Sequence, residues 1–251
     1  MKEIIIVNDY GHGGSDPGAV SGVHIEKKYN TDSGRACTKE LERHGITVIE
    51  TRKNDETLSL SQRCDIANKY NTSYVISHHH NAGGGNRGET IHSIYGGKGE
   101  ELANAVSSEL KKIGQSTVKV YDKANNSGKD YYALIRGTKA PCIIVEYAFL
   151  DNKEDVTFVD TLKERERNGI AVAHAVLKEL DIEIKKEEEQ EFKEGKIEDI
   201  KLKIDGKMYD IKGMVIDEST YIKVRDLQKA GYTIGYVNHV PSISKSNPIL
   251  K

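Results

Sequence analysis

Histidine and carboxylate side chains follow several short apolar runs of this sequence. His12 lies in a glycine-rich turn after the first run, and residues 78–80 are three consecutive histidines after another. Glu146 follows the four apolar residues 142–145. Because strand ends line the clefts of α/β proteins, these residues are placed to bind a metal or transfer protons. Two imidazoles, one carboxylate and an open position form the usual catalytic zinc site, with a further carboxylate as general base.

Each of these residues also has a simpler interpretation. The turn at His12 has the glycine content of a phosphate-binding loop, but it lacks the GxxxxGK[ST] and GxGxxG patterns. Alternation along a strand puts His78 and His80 on one face and His79 on the other, so spacing alone leaves open which of them is a ligand. Glu146 needs a metal, a cation or a catalytic role, and a plain salt bridge is the alternative.

Glu26 is a fourth candidate, at the start of a long predicted helix. Its position alone favours compensation of the helix dipole. The sequence contains neither an HExxH helix nor a GxSxG elbow. The common zinc-peptidase motif and the serine-hydrolase elbow are therefore excluded.

The elements that would position these residues follow an α/β pattern, with a mostly parallel twisted sheet flanked by helices. Five β-branched runs predict strands at Glu3–Asn8, Thr47–Thr51, Tyr74–His78, Thr90–Tyr95 and Cys142–Glu146. Four segments of helical period predict helices at Glu26–His44, Leu60–Tyr70, Gly99–Ile113 and Leu162–Leu180.

Charge, hydropathy and cysteine content narrow the function classes. The 251 residues carry a net charge of -2, so we expect no charge-driven binding of nucleic acid. The longest apolar runs have four residues, far below the roughly 20 of a membrane helix, so we expect no membrane association. Cys37, Cys64 and Cys142 match neither a disulfide framework nor a metal knuckle and predict reduced thiols.

The composition changes after residue 180. Residues 184–191 are almost entirely charged or polar, which indicates a linker over 181–195. Residues 196–251 carry a net charge of +3, against -5 for residues 1–195. Their alternating runs and turn signals predict a second, small β-rich C-terminal domain after the main domain of residues 1–180.

Ordered motifs extend along most of residues 3–178. They are Asp9–Ala19 (DYGHGGSDPGA), Gly22–Asn30, Thr51–Asp55, Leu60–Asn68, Ser77–Ala82 and Arg136–Asn152. In this order they resemble the DPGHGG-x-DPGA, G-x-x-E-K-x-x-N, TR-x-x-D, L-x-x-R-x-x-x-AN, S-x-H-x-NA and R-x-T…VE-x-x-F-L-x-N motifs of the zinc-dependent N-acetylmuramoyl-L-alanine amidases. That family of cell-wall lytic enzymes includes many autolysins and phage endolysins. Tyr10 replaces its usual proline, and Ala148 its usual glycine.

The resemblance assigns roles that spacing left open. It implies that His12, Glu26 and His79 bind one zinc ion and that Glu146 is the catalytic carboxylate. It implies a peptidoglycan substrate, cleaved at the amide bond between N-acetylmuramic acid and L-alanine. Residues 1–180 would then be the zinc amidase catalytic domain.

The C-terminal residues resemble a small repeat at the ends of some clostridial lysins and secreted wall proteins. Together with the local charge of +3 and four tyrosines, this predicts that residues 196–251 bind a cell-wall polymer. The alternatives are formation of a homodimer through this domain, or structural support.

The expected cellular role is that of an endolysin, as in a clostridial phage, which lyses the host. No hydrophobic leader follows Met1, so we expect synthesis in the host cytosol and action at the wall after membrane permeabilisation. The alternatives are a bacterial sporulation or autolytic amidase, another zinc amide hydrolase such as a stem-peptide peptidase, and a non-catalytic wall-binding protein.

Overall fold

The computed structural model describes residues 3–185, 197–204, 207–216, 219–222, 232–237 and 240–245. The chain divides into two compact units, Met1–Lys185 and Lys186–Lys251. Most of the predicted linker over 181–195 lies outside the described residues, so the predicted domain boundaries stay a prediction.

A six-stranded sheet forms the centre of the first unit. Its strands are β1 (Ile5–Tyr10), β4 (Thr47–Glu50), β5 (Tyr74–Asn81), β6 (Gly88–His92), β7 (Val118–Asp122) and β8 (Cys142–Phe149). A two-residue hairpin, β2 (Val20–Ser21) with β3 (His24–Ile25), precedes the first helix. The order in the sheet is β4-β1-β5-β8-β6-β7, and every pair is parallel except β6 with β8.

Helices cover both faces of this sheet. They are α1 (Glu26–Arg43), α2 (Leu60–Asn68), α3 (Lys98–Lys112), α4 (Ala133–Gly137) and α5 (Leu162–Glu179), with a 3-10 turn at Asp155–Phe158. Capping boxes begin α2 and α5. Side chains alternate along β1, so Ile6 belongs to the core cluster that includes residues of α1, α3 and α5, whereas Val7 belongs to the cluster that includes residues of α2 and α4.

The predicted fold class is confirmed, and the differences have local causes. Strand β5 ends at Asn81, beyond the predicted His78, because its backbone keeps pairing with β8 although its side chains become polar. Helix α4 has five residues, too few for a helical period to show, and β7 has only five residues with lysine in the alternation. Both were missed by the sequence pattern.

The described residues of the second unit lie in five strands, and the predicted small β-rich domain stays a prediction. Strands β9 (Ile197–Ile204), β10 (Lys207–Ile216) and β11 (Ser219–Ile222) form an antiparallel sheet. Strands β12 (Tyr232–Val237) and β13 (Val240–Lys245) form an antiparallel pair.

Two predictions about the first unit can be compared with the structure. Cys37 and Cys142 are buried, Cys64 is partly buried, and all three are free thiols. Within the described part of the chain, no helix combines the length and the apolar character needed to cross a bilayer.

A buried ion pair fixes the end of β1. Arg63 of α2 donates from Nη1 to Asp9 Oδ1 at 2.7 Å, and both side chains are under 5% exposed. Ser77 and Thr51 donate hydroxyl hydrogen bonds to the same carboxylate, each at 2.6 Å. Burial alone would raise the pKa of Asp9, but the Arg63 guanidinium and the two hydroxyls hold this pKa below its usual value.

Replacing Asp9 with alanine should lower the free energy of unfolding by about 3–5 kcal/mol, because Arg63 would stay buried without its partner. Urea unfolding at pH 7 measures this, with the exposed Asp65→Ala on α2 as the matched control. Because the pKa of Asp9 is depressed by folding, its stabilisation is present above the unfolded pKa of about 4 and is lost as the pH falls further. The difference between wild type and Asp9→Ala should therefore narrow below about pH 4; a constant difference would contradict this account.

Candidate metal centre and cleft

Three predicted ligands meet at one edge of the sheet. His12 follows β1, Glu26 begins α1 and His79 lies near the end of β5. One ligand atom from each residue lies within 4.8 Å of the other two. The carboxyl ends of the parallel strands β1 and β5 meet at this edge, which brings together residues 67 positions apart in the chain.

The Glu26 carboxylate lies between the two imidazoles. Its Oε2 is 3.1 Å from His12 Nε2, and its Oε1 is 2.9 Å from His79 Nδ1. The backbone N–H of Ala19 also donates to Oε2 at 2.7 Å. Burial alone would raise the pKa of Glu26, but the hydrogen bonds from both imidazoles hold this pKa far below its usual range. Glu26 is therefore a carboxylate and an available metal ligand.

The turn after β1 orients the His12 ring. His12 has a φ of 61°, a left-handed backbone conformation that costs a non-glycine residue on the order of 1 kcal/mol and often marks a functional site. Its Nδ1 lies 2.8 Å from Asp16 Oδ2, which leaves Nε2 facing Glu26. This matches the carboxylate–histidine arrangement around protein-bound metals, in which an outer carboxylate fixes the ring orientation.

Two glycines let the backbone approach the ligands closely. A Cβ built at Gly11 would lie 2.1 Å from His79 Cε1, and one at Gly18 would lie 2.4 Å from Glu26 Oε2. Only glycine leaves room for the rings and carboxylate at these two positions. The donor set of two imidazoles and one carboxylate, held in this cradle, fits a divalent metal with an open coordination position.

The histidines on either side of His79 point to the other face of β5. His78 and His80 are about 1% exposed or less, whereas His79 is partly exposed to the cleft. Burial lowers the pKa of His78 and of His80 to about 3, so both rings are neutral. His78 Nδ1 lies 2.7 Å from the Tyr147 hydroxyl. These two histidines are therefore part of the core, and His79 alone of the cluster faces the cleft.

Glu146 lies on β8 directly opposite His79 in the strand register. Its side chain is partly exposed to the cleft, but its Oε2 atom is buried and has no hydrogen-bond partner in the described structure. Burial raises the pKa of Glu146 to about 7. A carboxyl group with this pKa is suited to accept and return a proton at neutral pH.

These residues line a cleft of about 660 Å³. Its lining includes His12, His79 and Glu146. Leu58, Leu60 and the aromatic rings of Tyr131 and Tyr132 contribute apolar surface. Such a cleft, with a few converging polar groups, is typical of an enzyme active site.

Comparison with known proteins decides the family. The model of the family described as N-acetylmuramoyl-L-alanine amidase (Amidase_3) matches residues 6–178. The chain belongs to this family. This amidase is 31% identical over 184 residues to the N-acetylmuramoyl-L-alanine amidase CwlM of Bacillus licheniformis, covering 69% of each chain.

Further relatives of this amidase come from bacteria. It is 28% identical to the sporulation-specific N-acetylmuramoyl-L-alanine amidase of Bacillus subtilis (strain 168), covering 69% of this chain and 68% of the relative. Among solved structures, Cwp6 from Clostridium difficile matches with a TM-score of 0.68 and 30% identity over 71% of this chain. The match spans 29% of that longer Cwp6 chain.

Asn30 and Asp16 hold the candidate ligands of this amidase in place, and the sequence assigned them no such role. Asn30 lies one helical turn after Glu26 and donates from Nδ2 to Glu26 Oε1 at 3.3 Å and to the Gly11 carbonyl at 3.1 Å. Its Oδ1 accepts from His80 Nδ1 at 2.8 Å. The i,i+4 spacing of Glu26 and Asn30 on one helix face was the available signal. Asp16 lies in the same turn as His12 and not on a helix, so its spacing gave no such signal.

Replacing Asn30 with alanine should weaken binding of a divalent metal by about 10- to 100-fold, because Glu26 and the loop at Gly11 lose a shared anchor. Competition between the amidase and a chromogenic chelator for zinc measures the affinity. Asn104→Ala, an exposed asparagine of α3, is the matched control. Equal zinc affinity of Asn30→Ala and Asn104→Ala, with both proteins folded by circular dichroism, would contradict the anchoring role.

Proposed function

We propose that this chain is a zinc-dependent amidase that hydrolyses the amide bond between N-acetylmuramic acid and L-alanine of peptidoglycan. The observation that carries the proposal is the placement of His12, Glu26 and His79 within 4.8 Å, with Glu146 opposite His79 at the same sheet edge. Membership of the amidase family supports the choice of bond.

The donor set supports zinc as the metal. Two histidines and one carboxylate with a position left for water or substrate is a common catalytic zinc set, and imidazole ligands disfavour magnesium and calcium. Zinc held by His12, Glu26 and His79 would lower the pKa of a bound water toward about 7 and polarise the scissile carbonyl.

Glu146 would transfer the protons of the reaction. Its side chain is partly exposed to the cleft, and its Oε2 has no hydrogen-bond partner among the described residues, so the carboxyl group can accept a proton from the attacking water. The same carboxyl group would then donate that proton to the leaving nitrogen of L-alanine, which must depart as an amine. Asp16 and Asn30 would keep His12 and Glu26 in place during both transfers.

The cellular role is a separate part of the proposal. Lysis of a host by a phage endolysin, made in the cytosol and acting at the wall, is the role expected from the sequence. A bacterial sporulation or autolytic role is favoured by the relatives, of which one is named as sporulation-specific. Binding of a wall polymer by residues 196–251 would serve either role. Faster clearing of vegetative walls than of purified spore cortex would support the endolysin role, and the reverse preference the sporulation role.

Turbidity of purified Gram-positive walls should fall when the chain is added, and a chelator should stop the clearing. Zinc added back should restore it, because the proposed hydrolysis requires the metal. Mass spectrometry of the cleared sample should find stem peptides that begin with L-alanine. Fragments with a free amino group on another residue would instead indicate a stem-peptide peptidase, and a metal-bound protein that clears no wall would indicate a wall-binding protein.

Glu146→Gln should lower the rate of wall clearing by about 10²- to 10⁴-fold, the usual contribution of a general acid–base residue. Zinc content, measured by atomic absorption, should stay at the wild-type level because Glu146 is not one of the three ligands. Glu42→Gln, an exposed residue of α1, is the matched control and should clear walls normally. Clearing at the wild-type rate by Glu146→Gln would rule out this assignment.

A further inference from the structure

A line of charged residues continues across the sheet beyond the active site. In the strand register, His79 of β5 is opposite Glu146 of β8, Glu146 is opposite Glu89 of β6, and Glu89 is opposite Lys119 of β7. Residues paired in this way project from the same face of a sheet. Adjacent strands are about 4.8 Å apart, so Lys119 begins two strands, or about 10 Å, from Glu146.

A second groove of about 470 Å³ lies at the outer end of this line. Tyr132 lines both this groove and the active-site cleft. Its hydroxyl lies 3.0 Å from that of Tyr121, which in turn donates to Glu89 Oε2 at 3.2 Å. The two openings are therefore neighbours along one wall, and an extended molecule could lie in both.

Lysines give the groove a positive charge. Glu89 is buried and is already paired with Arg87, whose Nε donates to it at 2.7 Å. Lys119 and Lys123 are exposed, and neither has a carboxylate within 4 Å among the described residues. Asp122 is the remaining carboxylate of the groove, which leaves a net positive charge.

Tyrosine rings hold the two lysines at the groove. The Lys119 ammonium lies 4.4 Å from the centre of the Tyr121 ring, and the Lys123 ammonium lies 3.9 Å from that of Tyr131. A ring face beneath an ammonium group favours one position of the long side chain while leaving its N–H donors free. The lysines are thus placed to receive an anion.

We propose that this groove is a subsite for carboxylates of the peptide on the leaving-amine side of the scissile bond, recognised by Lys119 and Lys123. The inference rests on the proposed peptidoglycan substrate. The muramyl side contributes no free carboxylate, because its lactyl carboxyl group is part of the amide, whereas the peptide side carries several. A peptide residue spans at most about 3.5 Å, so about three residues reach from Glu146 to Lys119.

Two synthetic substrates test the subsite on the full chain loaded with zinc. One is N-acetylmuramoyl-tripeptide with free carboxylates, and the other is the same molecule with those groups converted to carboxamides. Wild type should have a higher kcat/KM for the acidic form. Lys119→Ala/Lys123→Ala should raise the KM for the acidic form about tenfold, the size expected for two exposed charge pairs, and should remove most of the preference.

The matched control is Lys111→Ala/Lys163→Ala, which removes the same charge from exposed positions on α3 and α5. It should keep the wild-type preference. Equal kcat/KM for the two substrates in wild type would overturn the subsite, as would a double variant at positions 119 and 123 that loses activity equally on both.

Binding of the released acidic tripeptide, measured by calorimetry at two salt concentrations, separates the subsite from the hydrolysis. Wild type should bind it more tightly at low salt, and Lys119→Ala/Lys123→Ala should bind it about tenfold more weakly. Binding without hydrolysis of either substrate would refute the proposed function while supporting the subsite. Hydrolysis without measurable binding to either protein would refute the subsite while supporting the function.

Discussion

The buried Arg63 guanidinium connects the helices, the sheet and the metal-ligand loop. Its charge is balanced by Asp9, and Nη1 and Nη2 also donate to the carbonyls of Tyr10 and His12, each at 2.8 Å. Those two carbonyls flank Gly11, where the chain passes against the His79 ring. One side chain from α2 therefore stabilises the turn whose unusual backbone orients His12, and the geometry of the candidate ligands depends on this buried pair of charges.

The side chains of β5 alternate, so its buried histidines lie on one face and the candidate ligand His79 lies on the other. On one face, His78 and His80 are neutral and bonded to Tyr147 and Asn30 in the core. On the other face, His79 shares the Glu26 carboxylate with His12. The buried His80 also stabilises the site, because it contacts Asn30, which donates a hydrogen bond to Glu26. His79 and His80 thus support one site from opposite faces of the strand, whereas His78 contacts Tyr147 in the core.

The sequence predicted most of the strands of the sheet. It also identified His12, Glu26, the histidine cluster and Glu146 as candidates, because glycine turns and carboxylates after apolar runs are local patterns. It did not choose between His79 and its neighbours, since alternation gives only relative faces and the family resemblance had to decide. It also left Asn30 and Asp16 without roles, because their partners become visible only when the ring orientations are known. The sequence did not predict β7, because the apolar and polar residues of this short strand alternate only weakly, and the groove at Lys119 was therefore not predicted either.

Strand β6 is antiparallel to β8, so β6 and β7 begin at the edge of the sheet where β1, β5 and β8 end. The three candidate ligands come from the turn after β1, the start of α1 and β5, and Glu146 comes from β8. The loops that enter β6 and β7 open beside that same edge. The loop before β6 is fixed by Asp151, which accepts hydrogen bonds from the N–H groups of Gly83 and Gly84. Exchange of these two loops between amidases would therefore leave the strands that carry His79 and Glu146 unchanged.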